Sequence, residues 1–287
     1  MSGAPAASPP RALIDAAGVE HRPADEPARI VSLVPSITEL LFDLDLGPQI
    51  VGRTTFCVHP AEAVASVPRV GGTKTVNLDR LRALEPSHVI LNIDENTREM
   101  AEAIRGFVPN VVVTHPLGPH DNLALYRLLG GLFDRADDAE RWCGRFERAF
   151  TDLHTACAGS APRSVLYLIW REPWMTVSRD TYVSRTLALV NWHTVAHDEL
   201  IRYPQIAVDP ALREAIDLVL LSSEPFPFKA RHAGEIRESL GDEACPVRMI
   251  DGEMTSWYGS RAVQGLRYLR EFAAGEAVEL GGGITGS

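Results

Sequence analysis

No short signature of covalent chemistry occurs in this chain of 287 residues: it has no HExxH, no Walker loop, no G-x-S-x-G elbow and no CxxC. Those spacings exist because a metal, a phosphate, an acyl group or a dithiol demands them, so their absence removes the commonest hydrolases, P-loop enzymes and dithiol oxidoreductases. No nucleophile is paired with a base, and no catalytic residue is assigned. Basic clusters are missing too. Lys and Arg total 28 against 38 Asp and Glu, a net charge of −10, which disfavours nucleic acid and anionic membrane as partners. No run approaches the ~18 apolar residues of a spanning helix, so the chain is expected not to be membrane-inserted. Its nine histidines do not group. His193 and His197 would share a face only if their segment is helical, and His115 and His120 bracket a Pro-Leu-Gly-Pro loop, so no protein metal site and no intrinsic cofactor are assigned.

Cysteine is also scarce, at four residues. Cys143 and Cys157 fall on one predicted helix, about 21 Å apart at 1.5 Å per residue, beyond disulfide reach, and Cys57 and Cys245 fall in opposite halves. Free thiols lean toward a reducing compartment. The opening MSGAPAASPPRALIDAAGVEHRPADEPARI has neither a positive n-region nor an apolar h-region. The expected location is therefore cytoplasmic as written, and periplasmic if a leader is missing. The run Gly281 to Gly286 matches G-x-G-x-x-G formally, but no helix follows it and it reads as a tail.

What is present is a regular alternation of buried strands and amphipathic helices. In RIVSLVPSITEL, Arg29 to Leu40, a β-branched run breaks at Val34-Pro35-Ser36 and resumes with helical spacing. Ser36 is placed to cap that helix, with Glu39 completing a capping box. Gln49 to Gly52 is a second apolar segment, followed by a loop from Arg53 to Pro60 that carries Phe56. Asn77 caps a helix running to Leu84, and His88 to Asn92 reads as a buried strand with Asp94 and Glu95 at its end. Helices are predicted over 121–131 and 136–158, the second with an apolar stripe of Ala139, Trp142, Cys143, Phe146, Ala149, Phe150 and Leu153. Further strands are predicted at 164–170, 216–221 and 246–250, with helices at 182–190, 233–240 and 261–273.

The residues RIVSLVPSITEL, IVGRT, NLDRLRALEPSHVI and TSWYGSRA, in that order, resemble the vitamin B12, haem and iron-siderophore binding proteins of ABC importers, the class with a helical backbone between two lobes. The B12-binding members look most similar, and the resemblance runs from about Leu13 to Phe272. It implies an α/β fold of two lobes, each with a central parallel sheet flanked by helices, joined by a long rigid helix. The divisions expected are a tail and short hairpin over 1–28, a lobe over 29–135, the connecting helix over 136–158, a second lobe over 163–274 and a tail over 275–287.

Phe56, Trp170, Trp174, Tyr203, Trp257 and Tyr258 all fall in predicted loops or at strand ends, where aromatic faces suit a flat macrocycle. The resemblance adds Pro35, Ser36 and Arg261 to the ligand-binding set, and Asp94 and Glu95 are candidate polar groups of the same pocket. It implies a metal chelate as cargo: a cobalamin-like corrinoid, with haem or a ferric siderophore as alternatives. Where B12 binders carry tryptophans in the first lobe, Thr73 and Asn92 stand here, which makes that wall more polar. Asp79 and Asp209 occupy the positions at which the family docks on an ABC permease, aspartate replacing the usual glutamate. A monomer is expected. A reading of another class, a leaderless enzyme or chaperone of corrinoid metabolism, would use Asp94 and Glu95 as acid–base groups. An interaction module with an empty cleft is a third.

Overall fold

The computed structural model describes residues 12–195, 200–241 and 245–275. Residues 1–11 of the expected tail and hairpin, residues 276–287 of the expected second tail, and His197 lie outside them. Two compact units divide the chain: one takes it up to His115 together with Ala124–Glu140, the other comprises Pro116–Leu123 and the residues from Arg141 onward.

The first unit opens with a hairpin, β1 (Leu13–Ile14) and β2 (Glu20–His21), paired antiparallel. Asp15 holds it: one carboxylate oxygen accepts the N–H groups of Ala17 and Val19, the other meets His21 Nε2 at 3.0 Å. Then follow β3 (Ile30–Ser32), α1 (Pro35–Asp43), β4 (Ile50–Arg53), α2 (Ala61–Ala65), α3 (Leu78–Ala83), β5 (His88–Asn92), α4 (Arg98–Arg105) and β6 (Asn110–Thr114). The four strands β3 to β6 form an all-parallel sheet in the order β4-β3-β5-β6. β5 is buried at every residue because it sits inside a sheet covered on both faces, and such strands read as unbroken apolar runs. Val31, Leu33, Val89, Leu91, Val111 and Val113 share one face and pack with Leu81 and Ile104. Each such side chain contributes about 1.5–3 kcal/mol by leaving water.

Two helices cross the division between the units, α5 (Asp121–Leu132) and α6 (Ala136–Ala156). α6 is unbroken over 21 residues, about 32 Å of rise. Of the apolar stripe of its sequence, Ala139, Cys143, Phe146, Ala149 and Leu153 are buried, and Trp142 and Phe150 are half-buried.

The second unit contains β7 (Arg163–Trp170), β8 (Met175–Thr176), α7 (Tyr182–Ala188), β9 (Trp192–Thr194), β10 (Leu218–Ser222), α8 (Ala230–Leu240), β11 (Val247–Ile250), α9 (Gly252–Ser256) and α10 (Arg261–Ala273). Its sheet runs β11-β10-β7, all parallel. The free edge of β7 is shared: β9 pairs parallel with its first residues and β8 antiparallel with its last. His193 therefore lies in a strand, not a helix, and its ring nitrogen meets Asn191 Oδ1 at 2.8 Å. The shared helical face considered for His193 and His197 does not form at His193.

Candidate functional site

In the first unit, the segments that follow β3, β4 and β5 leave neighbouring strands of one parallel sheet at the same, carboxyl end. Ligands of open α/β sheets bind at such ends. The α1 start differs from the sequence expectation. Val34 is the N-cap, Pro35 occupies the first turn, and Ser36 makes no capping bond, so the box with Glu39 is absent. Proline explains the shift: its φ is already helical and its missing N–H would have been an orphan there. Ser36 is buried, and its Oγ has no hydrogen-bond partner among the described residues.

Phe56 projects from the loop after β4 and is 58% exposed. The loop beneath it is fixed by Arg53, whose buried guanidinium donates from Nε to Val64 O at 2.8 Å and from Nη1 to Cys57 O at 3.0 Å and Thr54 O at 3.2 Å. Cys57 Sγ lies 3.0 Å from Thr38 Oγ1 and 3.1 Å from Thr54 Oγ1. Burial pushes that thiol's pKa up, against the lowering pull of the two hydroxyls, so it packs rather than reacts.

After β5 the chain turns through Asp94 and Glu95, both half-buried and two or three residues past the strand itself. Asn92 Oδ1 accepts the Asp94 N–H at 2.8 Å, while Asn96 Oδ1 accepts the Asn92 N–H at 2.8 Å and Asn96 Nδ2 donates to Thr73 O at 2.8 Å. Asn92 and the main-chain carbonyl of Thr73 thus belong to one network that ties two loops together. Asp94 Oδ1 stands 3.5 Å from His115 Nε2. Asp79 is exposed in the first turn of α3.

The second unit gathers its aromatics in the same way, beyond the parallel strands β7, β10 and β11. Trp170, the last residue of β7 and 40% exposed, meets Phe226 edge-on at 5.7 Å. Trp174 lies parallel to Phe228, centroids 6.1 Å apart, and Phe226 meets Phe228 at 4.8 Å. Tyr203 is exposed on a segment that runs beside β8, with Ser178 N–H bonded to Arg202 O and Ile206 N–H to Trp174 O. Asp209 is exposed and accepts the N–H groups of Ala211 and Leu212.

Beyond β11, the Trp257 indole N–H donates to Glu224 Oε1 at 2.7 Å, and Ser256 Oγ donates to the same oxygen at 3.1 Å. Burial raises the Glu224 pKa, the two donors pull it down, and Glu253 and Asp251 add to the rise. Arg261 is buried, with Nη1 3.1 Å from Glu253 Oε2 and its guanidinium 5.1 Å from the Trp257 ring. Tyr258 is buried against Tyr182, centroids 5.8 Å apart.

Sequence reasoning passed over Glu224, Phe226 and Phe228. The signal was the segment Ser222-Ser223-Glu224-Pro225-Phe226-Pro227-Phe228 itself, in which prolines hold aromatics out of any helix directly after a buried strand. Among the described residues, no group of three or more His, Cys, Asp or Glu is placed to hold a metal ion.

Residues 30–242 match the periplasmic binding protein family. The chain belongs to this family. A vitamin B12-binding protein of Pectobacterium atrosepticum is 24% identical over 200 residues, covering 68% of this chain and 71% of its own. Another from Vibrio cholerae, of the O395 strain, is 24% identical over 197 residues, covering 68% and 70%. Among solved structures, the periplasmic vitamin B12 binding protein BtuF of Vibrio cholerae superposes with a TM-score of 0.73 at 17% identity, covering 87% of this chain and 98% of its own. The periplasmic heme-binding protein RhuT from Roseiflexus sp. RS-1 gives 0.75 at 20% identity, with the same coverage. These structures are two-lobed binding proteins with parallel sheets flanked by helices, the fold class read from the sequence of this periplasmic binding protein. No helix among its described residues is long and apolar enough to cross a membrane.

Proposed function

We propose that this periplasmic binding protein captures a corrinoid of the vitamin B12 type and passes it to an ABC importer, without chemistry on the cargo. The observation that carries the reading is the aromatic surface at the carboxyl ends of β7, β10 and β11, where Trp170, Trp174, Phe226 and Phe228 interlock and Trp257 is pinned by Glu224. Flat aromatic faces remove a macrocycle from water over a large area at little entropic cost, and a rim of fixed polar groups orients it. The relatives named for vitamin B12 binding favour a corrinoid over other chelates. On this reading Pro35, Ser36, Phe56, Asp94, Glu95, Tyr203 and Arg261 belong to the binding machinery or its support, Asp79 and Asp209 are the permease contacts, and the protein works on the periplasmic side as a monomer.

Haem or a ferric siderophore is the second reading. The polar Asn92–Asn96–Thr73 network, standing where B12 binders carry tryptophan, is the feature that favours it. Isothermal titration with cyanocobalamin and cobinamide, then haem and a ferric siderophore, separates the two. One-to-one corrinoid binding that Trp174→Ala and Trp257→Ala each weaken about tenfold is expected, since a lost aromatic contact is worth on the order of 1 kcal/mol plus its buried area. Binding of haem or siderophore alone would transfer the role to that chelate, and binding of none would reject the transport reading.

A further inference from the structure

Glu224 lies half-buried at the carboxyl end of β10, where a carboxylate costs stability unless something gains from it. Its surroundings are built to hold it there. Ser222 Oγ donates to Glu224 O at 2.6 Å, and Tyr167 Oη in turn donates to Ser222 Oγ at 3.0 Å. Across from it, residue 252 is glycine, and a Cβ at that position would stand 2.5 Å from Glu224 Cγ and 3.0 Å from its backbone nitrogen. Any side chain at 252 would displace the carboxylate.

The two carboxylate oxygens are used unequally. Oε1 takes both donors, the Trp257 indole N–H and the Ser256 hydroxyl. Oε2 takes no donor among the described residues and is not sealed from solvent. Asp251 and Glu253 act on Glu224 with like charge, and the nearby cation, the Arg261 guanidinium, is paired with Glu253. Ser256, at the end of α9, adds a hydroxyl and no charge.

Resting on the corrinoid reading above, we propose that Glu224 is a specificity-determining residue: it sets the plane of Trp257 through Oε1 and uses Oε2 to accept hydrogen bonds from peripheral carboxamide N–H groups of the ligand, while repelling peripheral carboxylates. A carboxamide is a donor and pairs with a carboxylate oxygen, whereas a ligand carboxylate brings only acceptors and a like charge, so one residue both attracts the right periphery and rejects the wrong one.

The test compares cobinamide, which carries peripheral carboxamides, with cobyrinic acid, the same corrin ring carrying carboxylates instead, by isothermal titration near neutral pH. The wild-type protein is expected to favour cobinamide by about tenfold or more, the worth of one charge-assisted hydrogen bond plus like-charge repulsion. Glu224→Gln keeps an oxygen for Trp257 and removes the charge. It is expected to weaken cobinamide and tighten cobyrinic acid, each about fivefold, changes of opposite sign that a merely structural role would not produce. Trp257→Phe, which keeps an aromatic ring and loses the N–H, is expected to weaken both ligands alike and serves if the glutamine variant fails to fold. Equal wild-type affinities, or Gln weakening both ligands in proportion, would overturn the assignment of Glu224 and leave the corrinoid reading standing. Failure of both corrinoids to bind would overturn that reading and this one together.

Discussion

At the scale of single residues, Arg53 shows how a buried charge can organise a loop without an acidic partner. It is 2% exposed, and three main-chain carbonyls, those of Thr54, Cys57 and Val64, accept its N–H groups. Removing the guanidinium takes a buried donor from all three carbonyls, of which Val64 O keeps the Val67 N–H and Thr54 O the Cys57 N–H. Arg53→Leu is expected to lower the unfolding free energy by about 3 kcal/mol, measured by urea denaturation, and Arg53→Lys to recover little because an ammonium lacks the planar fork. A loss under ~1 kcal/mol for the leucine variant would mean the loop bearing Phe56 is held by other contacts. Nothing in the sequence singles out this arginine. It is one of many cationic side chains until β4 and α2 close around it.

At the scale of elements, β5 couples the sheet to pH. His88 begins the strand buried, with Nδ1 3.0 Å from Ser87 Oγ and its ring edge-on to Phe133 at 5.1 Å. Burial, with His21 adding to it, lowers its pKa from 6.5 to about 4. The folded state therefore resists protonation that the unfolded chain accepts, so stability is full above about pH 6.5 and is lost as pH falls from there through about 4. The loss is on the order of 3 kcal/mol. His88→Gln is expected to flatten that acid limb when unfolding free energies are compared at about pH 7 and about pH 4.5, and an unchanged slope would place the acid sensitivity elsewhere. Elements of this kind were the legible ones. β5 and α10 occupy the residues expected of them, because a doubly covered strand must be a continuous apolar run and a helix lying on a core must repeat its apolar residues every three or four. Short pieces were not legible. β8, β9 and α9 have too few residues to establish a period, and β8 exists only because the end of β7 offers it an edge.

At the scale of the whole molecule, the prediction concerns hand-off. Asp79 is exposed in the first turn of α3, and Asp209 is exposed at the turn it caps. Asp79→Lys and Asp209→Lys are expected to leave ligand affinity within about twofold while abolishing stimulation of the cognate importer's ATPase in proteoliposomes, because each replaces an anion that a permease cation would meet. Retained stimulation in the double variant would remove both residues from the docking role. By itself the sequence determined the family, the alternation of parallel strands and helices in two halves, and the loop placement of most of the aromatics, all of which follow from local apolar periodicity and turn chemistry. Only tertiary structure decided which of those residues are buried and which partners they take. Tyr258 and Arg261 became buried, Ser36 lost its capping role to Val34 and Pro35, and Glu224, Phe226 and Phe228 joined Trp257, Trp170 and Trp174. Exposure and partnership depend on which strand ends lie side by side in a sheet, and that is set by pairings between residues far apart in the chain.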